Sequence, residues 1–219
     1  MARHVSPDID PATKLAAPRE AASAPSAFAE ALSAKDFDAL ADLWGNKPWA
    51  ATPDFIEAAY HMAMNLPEGA TILECGTGVS TLALAAAAEQ KKLRLVSCEQ
   101  DRLWAAETQR ALDAGGLDAE ILVAPIEGDW YAPALKDRLH ELGAAMLVVD
   151  GPRRDPGVDR MWPIRGEAFG CNVVRPNAAV IVDDVTTVEG RGEWVSAGTD
   201  KRPWCVGRLG AKPTLVAAE

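Results

Sequence analysis

The residues of this sequence with the clearest chemical potential lie in the segment ILECGTGVST, residues 72–81. An apolar run ends there in an acid, two glycines flank a threonine, and two hydroxyl side chains begin an alanine-rich stretch. A strand that passes through a glycine turn into a helix holds nucleotide cofactors, because the backbone can approach the ligand and the helix N-terminus favours an anion. The candidate cofactor-binding residues of this segment are Glu74, Gly76, Thr77, Gly78, Ser80 and Thr81.

A second acid, Glu99, ends the next apolar segment, and Gln100 follows it. Glu99 lies about 20 residues after the glycine turn. Both NAD and S-adenosylmethionine sites have an acid there that binds the ribose hydroxyls, so Glu99 and its neighbour Gln100 are further cofactor candidates. Three features favour S-adenosylmethionine. Thr81 replaces the third glycine of the dinucleotide fingerprint, and the sequence ends in a predicted strand pair where such a dehydrogenase would need a substrate domain. Glu74 would repel a pyrophosphate, whereas it suits a ligand with ammonium and sulfonium groups.

Three more carboxylates follow apolar segments further along the chain. Asp150 ends AMLVVD, and Asp183 and Asp184 end AAVIVDD. Since the carboxyl ends of parallel strands meet at one edge of a sheet, these side chains are expected there together, which is costly unless they are solvated, protonated or share a cation. Asp150 is the first candidate for a catalytic base or ligand and Asp183 the second. A Mg²⁺ ion held by Asp150, Asp183 and Asp184 and a metal-free set of solvated carboxylates both remain open.

Strand-like and helix-like segments alternate through the part of the chain that carries these residues. The predicted strands are ATILECG, LRLVSCE, AEILVAP, AMLVVDG, AAVIVDD, RPWCVGRLG and PTLVAA. Continuous apolar strands separated by helices predict a mostly parallel sheet covered on both faces, and the last two strands are too close together for a helical crossover. The sequence therefore predicts a three-layer, doubly wound, Rossmann-like α/β fold of seven strands, with an antiparallel C-terminal hairpin.

The organisation along the chain is that of one domain with a leader. Residues 1–27 are rich in Pro, Ala and Ser without periodicity, which predicts a mobile or irregular leader. Residues 28–219 are predicted to form a single domain, with helices over 28–68 and the cofactor-binding sheet over 69–219. One of those helices is expected to begin at Pro53, because proline suits the first helical position.

Composition restricts the partners of the protein. Among 219 residues, 22 are basic and 32 acidic, a net charge of −10 that disfavours a nucleic-acid backbone as substrate. No apolar run approaches the roughly 20 residues of a membrane helix, and the N-terminus lacks the apolar centre of a signal peptide. The four cysteines include no CxxC pair, so a reducing cytoplasm is expected. A small-molecule substrate is predicted, without nucleic-acid or membrane partners, while oligomeric state stays open.

Five segments resemble the class I S-adenosylmethionine-dependent methyltransferases. LECGTGVSTLALA is similar to the family's first motif in its E-x-G-x-G-x-S-T variant, and VSCEQD to its second motif. LVVDGPRR and AAVIVDDV resemble the ends of the fourth and fifth strands, and DWYAPAL resembles a segment of a bacterial subgroup. The resemblance implies a sheet of seven strands whose last strand inserts antiparallel. It also implies methyl transfer, here expected at a hydroxyl oxygen of a small molecule.

Residue by residue, the resemblance implies a cradle for the methionine end of the cofactor at Glu74, Gly76 and Gly78, and ribose recognition by Glu99. Ser80 or Thr81 would donate to the ligand carboxylate or cap the helix, and these roles are compatible.

The sequence departs from the family in two places. ILVAPIEG has no acid at the end of the third strand, where many relatives hold the adenine amine, so Glu127 is a displaced candidate. Asp184 stands where metal-dependent relatives have asparagine. A non-catalytic S-adenosylmethionine-binding protein and an aminopropyl transferase are the alternative functions.

Overall fold

The computed structural model describes residues 25–45, 50–127, 130–152, 174–185, 193–199 and 202–208. The helices of these residues are α1 (Pro25–Ala34), α2 (Phe37–Trp44), α3 (Pro53–Met64), α4 (Val79–Lys91), α5 (Arg102–Gly115) and α6 (Pro133–Leu142). Their strands are β1 (Thr71–Cys75), β2 (Arg94–Glu99), β3 (Glu120–Val123), β4 (Ile126–Glu127), β5 (Trp130–Tyr131), β6 (Ala144–Val149), β7 (Val174–Asp183), β8 (Glu193–Thr199) and β9 (Arg202–Arg208).

Seven strands form one sheet in the order β3-β2-β1-β6-β7-β9-β8. The pairs from β3 to β7 are parallel, and β9 lies antiparallel between β7 and β8. The order reverses between β1 and β6, which is where an open α/β sheet forms a crevice at its carboxyl edge. The strands β4 and β5 form a separate two-stranded hairpin. The predicted seven-stranded, mostly parallel sheet with an antiparallel C-terminal hairpin is thus confirmed.

One partner in that hairpin differs from the prediction. The segment RPWCVGRLG forms β9 as expected, but β9 pairs with the preceding segment EWVSAGT, which is β8. No strand is predicted from the sequence of EWVSAGT, because the segment is short of apolar residues. The segment PTLVAA, predicted as the partner of β9, lies outside the described residues.

Local sequence determines where the helices begin and end. Helix α3 begins at Pro53 with Thr52 as its N-cap residue, as predicted, and α1 begins at Pro25, three residues before the expected start of the helical region. The Asp101 carboxylate accepts hydrogen bonds from the free amides of Leu103 and Trp104 at the start of α5. Such a cap satisfies donors that have no partner inside the helix, so α5 begins at a defined residue directly after β2.

Apolar side chains cover both faces of the sheet. Alternate residues of β1 point to opposite sides, so Ile72 belongs to the core that includes α1 to α5, and Leu73 belongs to the core that includes α6 and the β4–β5 hairpin. Both side chains are fully buried. Two cores on one sheet are what a doubly wound fold requires. None of the helices described above is long and apolar enough to cross a membrane.

Candidate functional site

Glu74, the glycine turn and Glu99 come together at the carboxyl ends of β1 and β2, which are neighbours in the sheet. We call this region, formed by the glycine turn 76–78 and by residues 99–100, the candidate site. The turn connects β1 to α4, and β6 ends beside it on the other side of β1. The strand order therefore explains why residues far apart in sequence meet here.

Glu74 is fully buried at the base of the glycine turn. Its Oε1 accepts a hydrogen bond of 2.7 Å from the Ser80 hydroxyl, and its Oε2 accepts bonds of 2.7 Å each from the hydroxyls of Thr81 and Ser97. Burial raises the pKa of the Glu74 carboxyl from 4.5 to about 7, although the three hydroxyl donors lower it. The carboxyl therefore titrates close to neutral pH.

These contacts define what Ser80 and Thr81 do in the described structure. Both hydroxyls donate to Glu74, and Thr81 Oγ1 also accepts the Gly78 amide at 2.9 Å. Of the two roles expected for these hydroxyls, helix capping is therefore observed for Thr81. Ser97 had not been predicted; a serine in the middle of the otherwise apolar β2 was its only signal in the sequence.

Backbone packing gives Gly76 a role of its own, while its expected role in letting the ligand approach stays a prediction. A Cβ at Gly76 would lie 2.7 Å from the Gly151 amide nitrogen, and its φ of 90° disfavours other residues. The Cys75 carbonyl accepts both the Asp150 amide at 2.9 Å and the Gly151 amide at 2.6 Å. The turns after β1 and β6 are thus joined backbone to backbone.

Aromatic rings lie against the other glycine of the turn. A Cβ at Gly78 would lie 3.7 Å from the Trp104 ring and 3.9 Å from the Trp44 ring, which are ordinary contact distances. The two rings meet edge to face with centroids 5.7 Å apart. Trp104 Nε1 also donates to the Thr77 carbonyl. The glycine turn is therefore supported from α2 and α5, two contacts that sequence patterns do not reveal.

Glu99 holds the turn from the neighbouring strand. Its Oε2 accepts the amide and the hydroxyl of Thr77, both at 3.0 Å, and its Oε1 accepts the amides of Gln100 and Asp101, both at 2.9 Å. Only 3% of Glu99 is exposed. Burial raises the pKa of its carboxyl, and the hydrogen bonds from these donors oppose that rise. Its oxygens face the turn predicted to hold the cofactor.

Gln100 and Glu127 differ in environment. Gln100 Oε1 is buried, and no hydrogen-bond donor reaches it among the described residues. A buried acceptor without a partner is uncommon and costs stability, which is a recurring property of ligand sites. Glu127 is exposed at the end of β4, opposite Trp130. Gln100 is therefore better placed than Glu127 to receive a buried donor from a ligand.

The three aspartates do not form a metal site in the described structure. Among the residues of the described ranges, no group of three or more His, Cys, Asp or Glu side chains is placed to hold a metal ion. Asp183 is 1% exposed at the end of β7, whereas Asp184 is exposed and has a φ of 59°. The expected Mg²⁺ site at Asp150, Asp183 and Asp184 is therefore not supported. Asp150 is half-buried at the end of β6.

Tyr131 reaches the candidate site from the β4–β5 hairpin. The residue is fully buried, and its hydroxyl lies 3.1 Å from both the Gly76 amide and the Cys98 carbonyl. Trp130 and Tyr131 are both core residues, with at most 1% exposure.

No protein-family model and no curated protein sequence matches the chain. Solved structures do match its fold. The O-methyltransferase TomG from Streptomyces achromogenes, involved in tomaymycin synthesis and solved with S-adenosylmethionine, has a TM-score of 0.52 at 20% identity, over 88% of this chain and 90% of its own. An RNA methyltransferase from Salinibacter ruber, solved with S-adenosyl-L-homocysteine, has a TM-score of 0.51 at 15% identity, over 78% of this chain and 99% of its own.

A third match is the cofactor-bound protein Rv0187 from MTB, with a TM-score of 0.55 at 16% identity, over 90% of this chain and 89% of its own. At these identities the likeness concerns the fold, which is the Rossmann-like methyltransferase fold. The named activities of the first two neighbours are O-methylation and RNA methylation. The fold alone therefore leaves the methyl acceptor open, and the expected absence of a nucleic-acid partner stays a prediction.

Proposed function

We propose that this protein binds S-adenosylmethionine at the candidate site and transfers its methyl group to a hydroxyl oxygen of a small molecule. The observation that carries the proposal is the junction of the glycine turn with Glu99. The Thr77 amide and hydroxyl are bonded to a carboxylate that ends the adjacent strand. A carboxylate beside a glycine turn at the carboxyl edge of the sheet supports ribose recognition by Glu99.

The residues of the candidate site fit the cofactor chemically. A carboxylate has about four lone-pair sites, and in Glu99 all four are used by donors of the chain itself. A ribose hydroxyl would compete with the Thr77 hydroxyl for Glu99 Oε2. This chain lacks the acid with which many relatives hold the adenine amine. Gln100 Oε1, which is buried and has no donor in the described ranges, would accept a hydrogen bond from that amine instead. Glu74 would offset the positive charge of the ligand.

The chain contributes orientation and a proton acceptor to the reaction. The bound cofactor supplies an electrophilic methyl group on a sulfonium. The protein holds the acceptor oxygen in line with that group, which supplies much of the rate by lowering the entropy of activation. The half-buried Asp150 carboxylate, at the end of β6 beside the glycine turn, would take the proton of the acceptor hydroxyl. Asp183 is 1% exposed, so an acceptor reaches it less readily than Asp150.

A binding experiment on the full chain tests the cofactor assignment. Isothermal titration calorimetry should show binding of S-adenosylmethionine and S-adenosyl-L-homocysteine, but not of NAD. Preferential binding of decarboxylated S-adenosylmethionine would instead favour an aminopropyl transferase. Absence of binding by any adenosyl ligand to the folded protein would refute the proposal.

A transfer experiment then tests the reaction. Incubation with S-adenosylmethionine carrying an isotopically labelled methyl group, and with small-molecule and RNA fractions in separate tubes, should label only the small-molecule fraction. The net charge of −10 is the physical reason for that expectation. Label in RNA would overturn the acceptor class. Cofactor binding without transfer to either fraction would indicate the non-catalytic alternative.

A further inference from the structure

A buried tyrosine hydroxyl lies at the point where β1 passes into the glycine turn. Tyr131 belongs to the β4–β5 hairpin, where it pairs with Ile126, and none of its surface is exposed. Its hydroxyl donates to the Cys98 carbonyl at 3.1 Å and accepts the Gly76 amide at 3.1 Å. The Gly76 amide also donates to the Cys98 carbonyl at 2.9 Å. We call these three groups the hydroxyl junction.

The hydroxyl junction joins three separate elements. Gly76 begins the glycine turn, Cys98 precedes Glu99 in β2, and Tyr131 comes from a hairpin that is not part of the main sheet. A hydroxyl can donate and accept at once, so the tyrosine adds two hydrogen bonds to the one backbone bond that joins the two strand ends. Burial raises the pKa of the Tyr131 hydroxyl well above its usual range, which keeps the proton needed for the bond to Cys98.

We propose that Tyr131 is a positioning residue for cofactor binding, an inference that rests on the proposed function. The hydroxyl orients the Gly76 peptide, and Thr77 and Gly78 follow directly in the chain. Thr77 donates hydrogen bonds to Glu99, which directly follows Cys98 in the chain. A shift at the junction would therefore change the distance between the glycine turn and the ribose acceptor. Misplacement of preformed binding groups lowers affinity without removing a ligand contact.

The alternative role of Tyr131 is apolar packing, and substitution by phenylalanine separates the two. The ring of Tyr131 packs edge to face on Trp130 with centroids 5.0 Å apart, and phenylalanine keeps that contact. The Gly76 amide also keeps the Cys98 carbonyl as acceptor, so Tyr131→Phe leaves no buried donor without a partner. The variant should therefore fold while losing the positioning bonds alone.

The test compares Tyr131→Phe with a matched control. Tyr60 is 1% exposed, and its hydroxyl donates to Gln90 Oε1 at 3.2 Å in the helical layer. Calorimetry with S-adenosyl-L-homocysteine should show Kd raised about five- to tenfold in Tyr131→Phe, the range expected for loss of one to two hydrogen bonds, and changed less than about twofold in Tyr60→Phe. The melting temperatures of the two ligand-free variants should fall by similar amounts, since each loses a buried hydroxyl.

Two further results decide the proposal. Equal Kd values in the wild type and Tyr131→Phe would overturn the positioning role, whereas absence of binding by the wild type would refute the proposed function instead. If the wild type does not bind the ligand, hydrogen exchange of the ligand-free protein still tests the hydroxyl junction, because the Gly76 amide should exchange faster in Tyr131→Phe than in Tyr60→Phe. Unchanged exchange at Gly76 would overturn the positioning role of Tyr131.

A measurement that retains the hydroxyl covers the case in which Tyr131→Phe fails to fold. The chain has two tyrosines, Tyr60 and Tyr131, so 3-fluorotyrosine in the Tyr60→Phe protein labels position 131 alone. Addition of S-adenosyl-L-homocysteine should shift the ¹⁹F resonance, because the ligand tightens the turn that the hydroxyl contacts. Ligand binding without a shift of that resonance would overturn the proposal.

Discussion

Substitution of Glu74 by glutamine should remove most of the loss of stability that the wild type shows between acidic and mildly alkaline pH. The Glu74 carboxyl is fully buried, and burial raises its pKa from 4.5 to about 7. Below the unfolded value the group is protonated in both the folded and the unfolded state. As the pH rises through the folded value, the protein must bury a charge that the unfolded chain keeps in water, so stability is lost.

The size of the effect follows from the two pKa values. A folded value of about 7 against 4.5 corresponds to a penalty of about 3 kcal/mol once Glu74 is ionised in both states. Roughly 2.5 kcal/mol of that penalty develops between about pH 5 and pH 8. Glutamine has no such titration. Its carbonyl can accept from Ser97 and Thr81, and its amide can donate to the Ser80 oxygen, so the substitution leaves the hydroxyl cluster satisfied.

Urea unfolding of both proteins at about pH 5 and pH 8, followed by circular dichroism, measures the effect as a change in the midpoint at constant slope. Glu99 also has a raised pKa and is present in both proteins, so the difference between the two profiles reports Glu74 together with its repulsion from Glu99. Ser97→Ala should act in the opposite direction, because removing a donor that lowers the pKa enlarges the loss at pH 8. A Glu74→Gln profile with the same pH dependence as the wild type would show that the carboxyl is not buried as described.

Three other substitutions or additions test the remaining contacts. Glu99→Gln should weaken S-adenosyl-L-homocysteine binding about tenfold by calorimetry, while Glu68→Gln at the opposite end of the sheet should leave it unchanged. Equal affinity of Glu99→Gln and the wild type would mean that Glu99 only anchors the glycine turn. Gly76→Ala should cost about 2–4 kcal/mol in urea unfolding, since its Cβ would meet the Gly151 backbone, and an unchanged midpoint would refute that packing. Magnesium should leave the wild-type melting temperature unchanged, and a concentration-dependent rise that is lost in Asp183→Asn would restore the metal hypothesis.

The sheet could be predicted from the sequence because its parallel strands are continuous apolar segments separated by helices. The meeting of the glycine turn with Glu99 was also predictable, since both follow strands that are adjacent in such a sheet. The strand β8 was not, because EWVSAGT has little apolar character and obtains its partners from β9. Its conformation depends on a neighbour rather than on its own residues.

The internal contacts of the candidate site needed the structure because they depend on register. Ser97 donates to Glu74 since the parallel pairing of β1 and β2 places the two residues opposite each other. Gly76 must be glycine since β6 brings the Gly151 backbone against it. Neither contact leaves a pattern at fixed spacing in the sequence. Glu74, the glycine turn and Glu99 could be identified from the sequence as a cluster, whereas the packing of Gly76 on Gly151 could not.

Glu74 also links cofactor binding to a proton. If the proposed function is right, the ligand brings an ammonium group to the carboxyl edge of the sheet near Glu74, and a nearby positive charge favours the ionised carboxyl. At about pH 7 the free protein holds this group about half protonated, because its pKa is about 7. Binding should therefore lower the pKa and release about 0.3–0.5 proton per ligand.

Calorimetry in two buffers of different ionisation enthalpy measures that release directly. The apparent binding enthalpy of S-adenosyl-L-homocysteine should differ between phosphate and Tris at about pH 7 in the wild type, and should not differ in Glu74→Gln. Affinity in the wild type should rise with pH through neutrality, since the ionised carboxylate attracts the ligand. Proton uptake would mean that the ligand carboxylate, rather than its ammonium, approaches Glu74. Binding without any proton exchange would remove Glu74 from the cofactor cradle and leave it as a purely internal anchor of β1, α4 and β2.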